Sequence, residues 1–263
     1  MNFKRHWDSS KSGCTAIYTS ENSACKKLEV SMLSLNNGES YTASTGEKEF
    51  VLYILGGKCD VSGDNLDYKA IGSRKNVFDG KATALYIPRH TFFTVTAVTE
   101  FKAAVVICPT DGDYEPHLVT PDDIVVKTFG KPGFEREVHF VVDERMSAGR
   151  VYIGENFIEG GQWSGYPAHK HDENAENEAF AEEIYYFEYD KPTGYGIQQA
   201  YTSDRRIDEA YTVRNGDFVE LPYGYHPCTV APGYKGYLLW LMSCDKRGLI
   251  STTDPEQKWI LEK

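Results

Sequence analysis

EKEFVLYILGGKCDVSG (residues 47–63) and EEIYYFEYDKPTGYGIQQAY (residues 182–201) share one plan: an acid, an unbroken run of aliphatic and aromatic residues, then a turn built on glycine. Val, Ile, Tyr and Phe favour a pleated surface, and Gly, Pro, Asn and Asp end such runs, so each stretch reads as strand, turn, strand. Working outward, the same pattern recurs in TALYIPRHTFFTVTAVTEFKAAVVICP (83–109), GRVYIGENFIEGG (149–161), GDFVELPYGYHPCTV (216–230) and GYKGYLLWLMSC (233–244). No long stretch keeps a 3.6-residue apolar period, and only short helices are predicted, near Thr120–Ile124 and Pro255–Leu261. Many short strands with frequent turns predict an all-β protein: a sandwich, jelly roll or barrel.

The two halves repeat each other. In the first, Glu49 precedes Phe50-Val-Leu-Tyr53, then come Phe78-Asp-Gly80, a run into Tyr86-Ile-Pro88 and a strand closing at Cys108-Pro109. In the second, Glu183 precedes Ile184-Tyr-Tyr-Phe187, then come Asn215-Gly-Asp217, a run into Glu220-Leu-Pro222 and a strand closing near Cys244. A β unit repeated after about 100 residues implies two similar domains. The natural break is Cys108-Pro-Thr-Asp-Gly-Asp113, which gives domains 1–112 and 113–263 with residues 114–136 crossing between them.

The chain has 263 residues, 41% of them hydrophobic, enough to bury the core of two such domains. Its formal charge of −11 disfavours nucleic acid and anionic membrane surfaces as partners. No apolar run approaches the ~20 residues of a membrane-spanning helix. MNFKRHWDSSKSG at the N-terminus lacks the apolar segment of a signal peptide. The six cysteines form no Cys-x-x-Cys pair, so reduced thiols in a cytoplasmic protein are expected.

Pro167-Ala-His169-Lys-His171-Asp172 carries the strongest chemical signal. Residues i and i+2 of an extended chain point the same way, so His169 and His171 can present both imidazoles to one point. Glu183 opens the next strong strand, and His226 follows the turn Pro222-Tyr-Gly-Tyr225. Three imidazoles and a carboxylate make a nitrogen and oxygen site suited to Mn, Fe, Ni or Zn. Glu182 competes with Glu183 for the carboxylate position. In the first half, Glu49 lines up with Glu183 and Phe92 with His226, and no histidine lies between Trp7 and His90. That domain is expected to hold no metal, with His90 an exposed turn residue.

Gly165-Tyr-Pro-Ala-His169-Lys-His171, Glu183 and Gly216-x5-Pro222-x-Gly224-x-His226 together resemble the paired motif of the cupins. Within them, Trp163-Ser-x-Tyr-Pro-x-His-Lys-His-Asp172, Glu182-Glu-Ile-Tyr-Tyr186, Tyr201-Thr-x-Asp-Arg205 and Gly224-Tyr-His-Pro227 are similar to the 5-deoxy-glucuronate isomerases of inositol catabolism. The first half also resembles them, in Gly46-x-x-Glu-Phe-Val-Leu52, Val77-Phe-Asp-Gly80 and Thr83-Ala-Leu-Tyr-Ile-Pro88. The resemblance implies two tandem cupin domains, metal ligation by His169, His171, Glu183 and His226, and conversion of 5-deoxy-glucuronate to 2-deoxy-5-keto-gluconate. Rival readings are a 5-keto-4-deoxyuronate isomerase, a cupin dioxygenase and a non-catalytic sugar-acid binding protein, since one fold hosts many chemistries.

An aldose–ketose isomerisation needs a Lewis acid for the carbonyl and hydroxyl oxygens, an acid or base, and a cation for the distant carboxylate. Tyr185 shares a strand face with Glu183. Tyr201 and Glu220 are the other catalytic candidates, the latter two residues before Pro222 and able to face inward. Arg205 is favoured for the carboxylate, with Lys170 and Arg136 behind it, and Tyr225 is a further candidate for the site. Lys170 lies between two inward histidines, so alternation turns it outward. A homo-oligomer, dimer or higher, is expected, because covering strand edges benefits an edge-rich β protein.

Overall fold

The structure is a computed structural model and describes residues 2–262. Each half is a large antiparallel sheet facing a smaller four-stranded one. In the first half the large sheet has six strands, ordered His117–Val119, Thr83–Ile87, Lys48–Gly56, Phe101–Pro109, Glu29–Leu35, Gly13–Tyr18. In the second it has seven, ordered Lys4–His6, Asp217–Leu221, Ala181–Tyr189, Lys235–Cys244, Val151–Glu159, Arg136–Val142, Val125–Phe129. The division expected at residue 112 is crossed twice. Lys4–His6 pairs with Asp217–Leu221 in the second sheet, and His117–Val119 pairs with Thr83–Ile87 in the first. The helical turns are short 3-10 segments, Pro121–Asp123 and Pro255–Ile260. No helix among the described residues is long and apolar enough to cross a membrane.

The unbroken apolar runs are explained by burial of the central strands on both faces. Along Lys48–Gly56, Phe50, Leu52 and Ile54 enter the first half's own interior, while Val51, Tyr53 and Leu55 join the layer between the two large sheets. Along Ala181–Tyr189, Ile184 and Tyr186 join that same layer, whereas Tyr185, Phe187 and Tyr189 face the second half's interior. Side-chain parity thus assigns each residue either to one sandwich or to the joint between them.

The joint contains a buried polar group. Glu155 accepts hydrogen bonds from Tyr53 Oη (2.6 Å) and Tyr237 Oη (2.9 Å) and pairs with Arg74 at 2.9 Å, with both charged side chains at most 1% exposed. His139 Nδ1 lies 3.2 Å from the same carboxylate. Burial pushes the Glu155 carboxyl up, but Arg74, His139 and Tyr53 outweigh it and leave it below the usual range. An unpaired charge there would cost several kcal/mol, so these partners hold the halves in one relative position.

Candidate metal centre

His169 opens the two-residue strand His169–Lys170, which pairs with Thr252–Thr253. His171 follows it, and His226 follows the turn at Gly224. Gly224 has φ +86°, and a Cβ there would lie 2.5 Å from the carbonyl oxygen of Tyr201, so the turn needs glycine. Ligand atoms of the three imidazoles lie within 4.8 Å of one another. Glu183 Oε2 lies 3.0 Å from His171 Nε2 and 3.1 Å from His226 Nε2. His171 Nδ1 is 2.8 Å from the Ala181 carbonyl oxygen, and His226 Nδ1 is 2.8 Å from that of Gly224. A ring that donates Nδ1–H to a carbonyl turns the Nε2 lone pair toward the shared point, the arrangement that orients metal-binding histidines.

The electrostatics fit a cation. Burial and then the two neighbouring imidazoles hold His169 down to about 3, so it stays neutral. Burial pushes Glu183 up, but its contacts with His171 and His226 prevail and take it down to about 2, so it stays ionised. His226 Nε2 is buried, 3.1 Å from Glu183 Oε2 but not aligned for a hydrogen bond to it. A buried polar atom without a hydrogen bond is costly, and a divalent ion among the three imidazoles and the carboxylate would satisfy it.

A cavity of about 90 Å³ opens on this centre, lined by His169, Glu183, Tyr185, Arg136, Asn156 and Trp240 among others. Phe129 and Leu249, 37% and 51% exposed, stand at its mouth. Tyr185 lies 5.8 Å ring to ring from His226, and burial first, then the Glu183 charge, push its phenol well above 10. A larger cavity of about 670 Å³ lies elsewhere, beside Trp7, Lys102, Glu188 and Asn215. It holds no converging set of imidazoles.

Other expected site residues lie away from this cavity. Glu220 faces Ile184 across the strand pair, with the opposite parity to Glu183, and accepts from Ser23 Oγ and the amide of Ala24. It therefore ties down the N-terminal segment. Lys170 is turned outward and held by Asp172 (2.6 Å), Glu173 (2.5 Å) and Glu178 (3.0 Å). Arg205 is half exposed, 3.3 Å from Asp208 and stacked 4.1 Å over the Tyr201 ring. Tyr201 donates to Asp254 at 2.6 Å and packs on Tyr225, so both tyrosines form a support behind the His169 strand. Glu182 accepts from the amides of Lys26 and Lys27, on the face opposite Glu183.

Sequence reading passed over Asn156 and Trp240 and ranked Arg136 low. Parity carried the missing signal. Arg136 shares a strand face with Val138 and Phe140, Asn156 with Tyr152 and Ile158, and Trp240 with Leu238 and Met242, all interior residues of the second half. Register also corrects the alignment of the halves. Phe50 stands opposite Ile87 just as Glu183 stands opposite Leu221, so the counterpart of Glu183 is Phe50 and that of Glu182 is Glu49.

A double sandwich with one centre of three imidazoles and a carboxylate defines a protein of the bicupin class. The family model described as KduI/IolB matches residues 3–260, and the chain belongs to this family. It is 37% identical over 245 residues to the 5-deoxy-glucuronate isomerase of Bacillus licheniformis, spanning 92% of this chain and 90% of that one. With the 5-deoxy-glucuronate isomerase of Bacillus subtilis strain 168 it shares 36% identity over 248 residues, 93% and 92% of the two chains. An IolB-like protein from Salmonella typhimurium LT2 superposes with a TM-score of 0.94 at 32% identity, over 99% of this chain and all of the other. Oxalate decarboxylase from Lactobacillus farciminis, 10% identical, superposes at 0.65 over 100% of this chain and 91% of its own, which is a likeness of fold.

Proposed function

We propose that this chain is a metal-dependent isomerase that converts 5-deoxy-glucuronate to 2-deoxy-5-keto-gluconate in inositol catabolism. The observation that carries the reading is the convergence of His169, His171, His226 and Glu183 at the wall of a cavity, in a chain of this family. A divalent ion held by these four residues would supply a Lewis acid for the aldehyde and the neighbouring hydroxyl oxygen. The donor set accepts Mn, Fe, Ni or Zn.

The remaining work falls to the chain itself. Tyr185 lines the cavity beside Glu183 and His226 with its phenol pushed well above 10 by burial, which places an O–H donor where oxygen charge would develop. Trp240 Nε1 donates to Asn156 Oδ1 at 2.9 Å, and Asn156 donates to Ser164 Oγ at 3.0 Å, which fixes the floor of the cavity. The reacting end of the acid would sit against the imidazoles, and its remaining carbons would extend toward the side of the cavity lined by Phe129, Arg136 and Leu249. All six cysteines are free and five are buried, which suits a reduced cytoplasmic setting. Val125–Phe129, the edge of the seven-stranded sheet with Val126 39% exposed, is the edge best suited to pairing with a second copy in a homo-oligomer.

Elemental analysis of the purified protein and turnover of 5-deoxy-glucuronate in D2O test this reading. The expected result is about one metal per chain and a ketose carrying deuterium in its new hydroxymethyl group. Ketose without deuterium would overturn proton transfer through solvent-exchangeable groups while keeping the isomerase. No ketose from authentic substrate would overturn the isomerase itself.

A further inference from the structure

Arg136 is a cation that the fold brings inward and leaves unpaired. It opens the strand Arg136–Val142 and lines the cavity that holds His169 and Glu183. Its Nε is buried without a hydrogen-bond partner, and its Nη1 has one long contact, 3.3 Å, to the Phe134 carbonyl oxygen. Its guanidinium carbon lies 5.6 Å from the centre of the Phe129 ring at the cavity mouth. No ion pair to Arg136 occurs among the described residues.

The contrast with Arg74 is informative. That guanidinium is fully buried where Arg136 is half-buried, and although its Nε and Nη2 also lack hydrogen-bond partners, the fold gives its charge Glu155 at 2.9 Å. Taking a cation out of water is costly unless an anion compensates, and this protein supplies the anion to one arginine and not to the other. The formal charge of −11 means that acids are plentiful, so the lack of an ion pair to Arg136 is a property of the site. A cation beside a metal centre also gives the cavity a positive field within an acidic protein, which draws small anions in.

The geometry points to Arg136 as the carboxylate anchor of the site: its guanidinium takes the acid group of the sugar acid while the four-ligand centre holds the opposite, carbonyl end. Which end is anchored rests on the isomerase reading; the capture of a carboxylate does not. Guanidinium pairs with carboxylate through two parallel N–H···O bonds, which fixes direction as well as affinity. In the open chain of 5-deoxy-glucuronate the aldehyde and the carboxylate are the two termini. One cation and one metal centre in a single cavity therefore recognise both ends and select chain length.

The test uses Arg136→Gln and Arg136→Lys. Binding of D-gluconate, a sugar acid with no aldehyde to react, is measured by calorimetry on metal-free and metal-loaded protein. Turnover is compared for 5-deoxy-glucuronate and for 5-deoxyglucose, which carries a hydroxymethyl group in place of the carboxylate. The Gln variant is expected to weaken gluconate binding about 100-fold and to lower the preference for acid over alcohol by a similar factor. The Lys variant should recover part of both, since it restores charge without the planar fork. The melting temperature of the Gln variant should not fall, because no internal ion pair is broken.

Gluconate affinity within threefold of the parent protein, or equal losses on acid and alcohol, would overturn the anchor. So would a large drop in melting temperature in both variants, which would make Arg136 a structural residue. If the parent makes no ketose yet gluconate binding still depends on Arg136, the anchor stands and the isomerase reading falls.

Discussion

The same strand pair builds a hydrocarbon core in one half of the molecule and a charged centre in the other. In the first half, Phe50 sits opposite Ile87 and packs edge-on against Phe93, 6.0 Å ring to ring. In the second, Glu183 occupies that register opposite Leu221 and meets His171 and His226. One residue earlier the halves behave alike. Glu49 accepts the amides of Gly149, Arg150 and Val151, and Glu182 accepts those of Lys26 and Lys27. Each half therefore uses one acid to hold backbone from the other half, and only in the second does the next position carry a carboxylate that meets imidazoles. A sandwich becomes a site when its inward-facing position carries a ligand and the neighbouring loops bring imidazoles to it.

The largest expected effect comes from destroying that difference. His171→Ala should take metal from about one ion per chain to nearly none and lower turnover about 1,000-fold or more. Full isomerase activity in this variant would sink the metal assignment. His90→Ala is the matched control in the first half. His90 is a turn residue with φ +59°, 3.4 Å from the exposed Glu47, and its loss should leave metal content unchanged. The next effect comes from forcing the halves to be alike. Phe50→Glu buries a carboxylate with no imidazole to meet it, and should cost about 3–5 kcal/mol in urea denaturation. A cost below about 1 kcal/mol would mean that the first interior is wetter than its packing indicates.

Much of this was legible in the chain. Turn residues and β-rich runs fix the all-β class, and the repeat of acid, strand and Pro-closed strand identifies two units. Spacing alone places His169 and His171 on one side, and the short helical turns fall where they were expected. The swapped edge strands were not legible, because three residues such as Lys4-Arg-His6 carry too little pattern to name their partner. The surroundings of Arg205 and Lys170 were not legible for a different reason, although alternation already turns Lys170 outward. Sequence lists charges but not their neighbours, and Asp208 and the trio Asp172, Glu173 and Glu178 occupy them. The one-residue offset between Glu49 and Glu183 also escaped, since either acid begins an apolar run and only strand register separates them.

A smaller effect sharpens the offset. In Glu49→Gln the amide turns an N–H₂ toward one pair of donors, either Tyr86 Oη and Gly149 N or Arg150 N and Val151 N. The expected cost is about 2 kcal/mol in chemical denaturation, with metal content intact. Glu182→Gln faces the same conflict with Lys26 N and Lys27 N and should cost a similar amount. Loss of metal from the Glu182 variant with retention in Glu183→Gln would reverse the choice of ligand between the two.

The smallest effect is a pH slope at the joint between the halves. His139 lies between Glu137, 2.8 Å from Nε2, and Glu155, 3.2 Å from Nδ1. Burial lowers its affinity for a proton, but the two carboxylates prevail and raise it above the usual 6.5. A raised value in the folded state means that the protonated ring contributes stability fully below pH 6.5 and loses it as pH climbs through the folded value. The protein should therefore lose stability from pH 6 toward pH 8, by less than about 1 kcal/mol from this group. Arg74 keeps its charge throughout this range, so the rest of the joint does not respond. His139→Gln should flatten the slope without changing metal content, measured as the difference in urea midpoint between variant and parent at each pH. An unchanged slope would show that Glu155 relies on Arg74 and the two tyrosines alone, and that the joint is held without the imidazole charge.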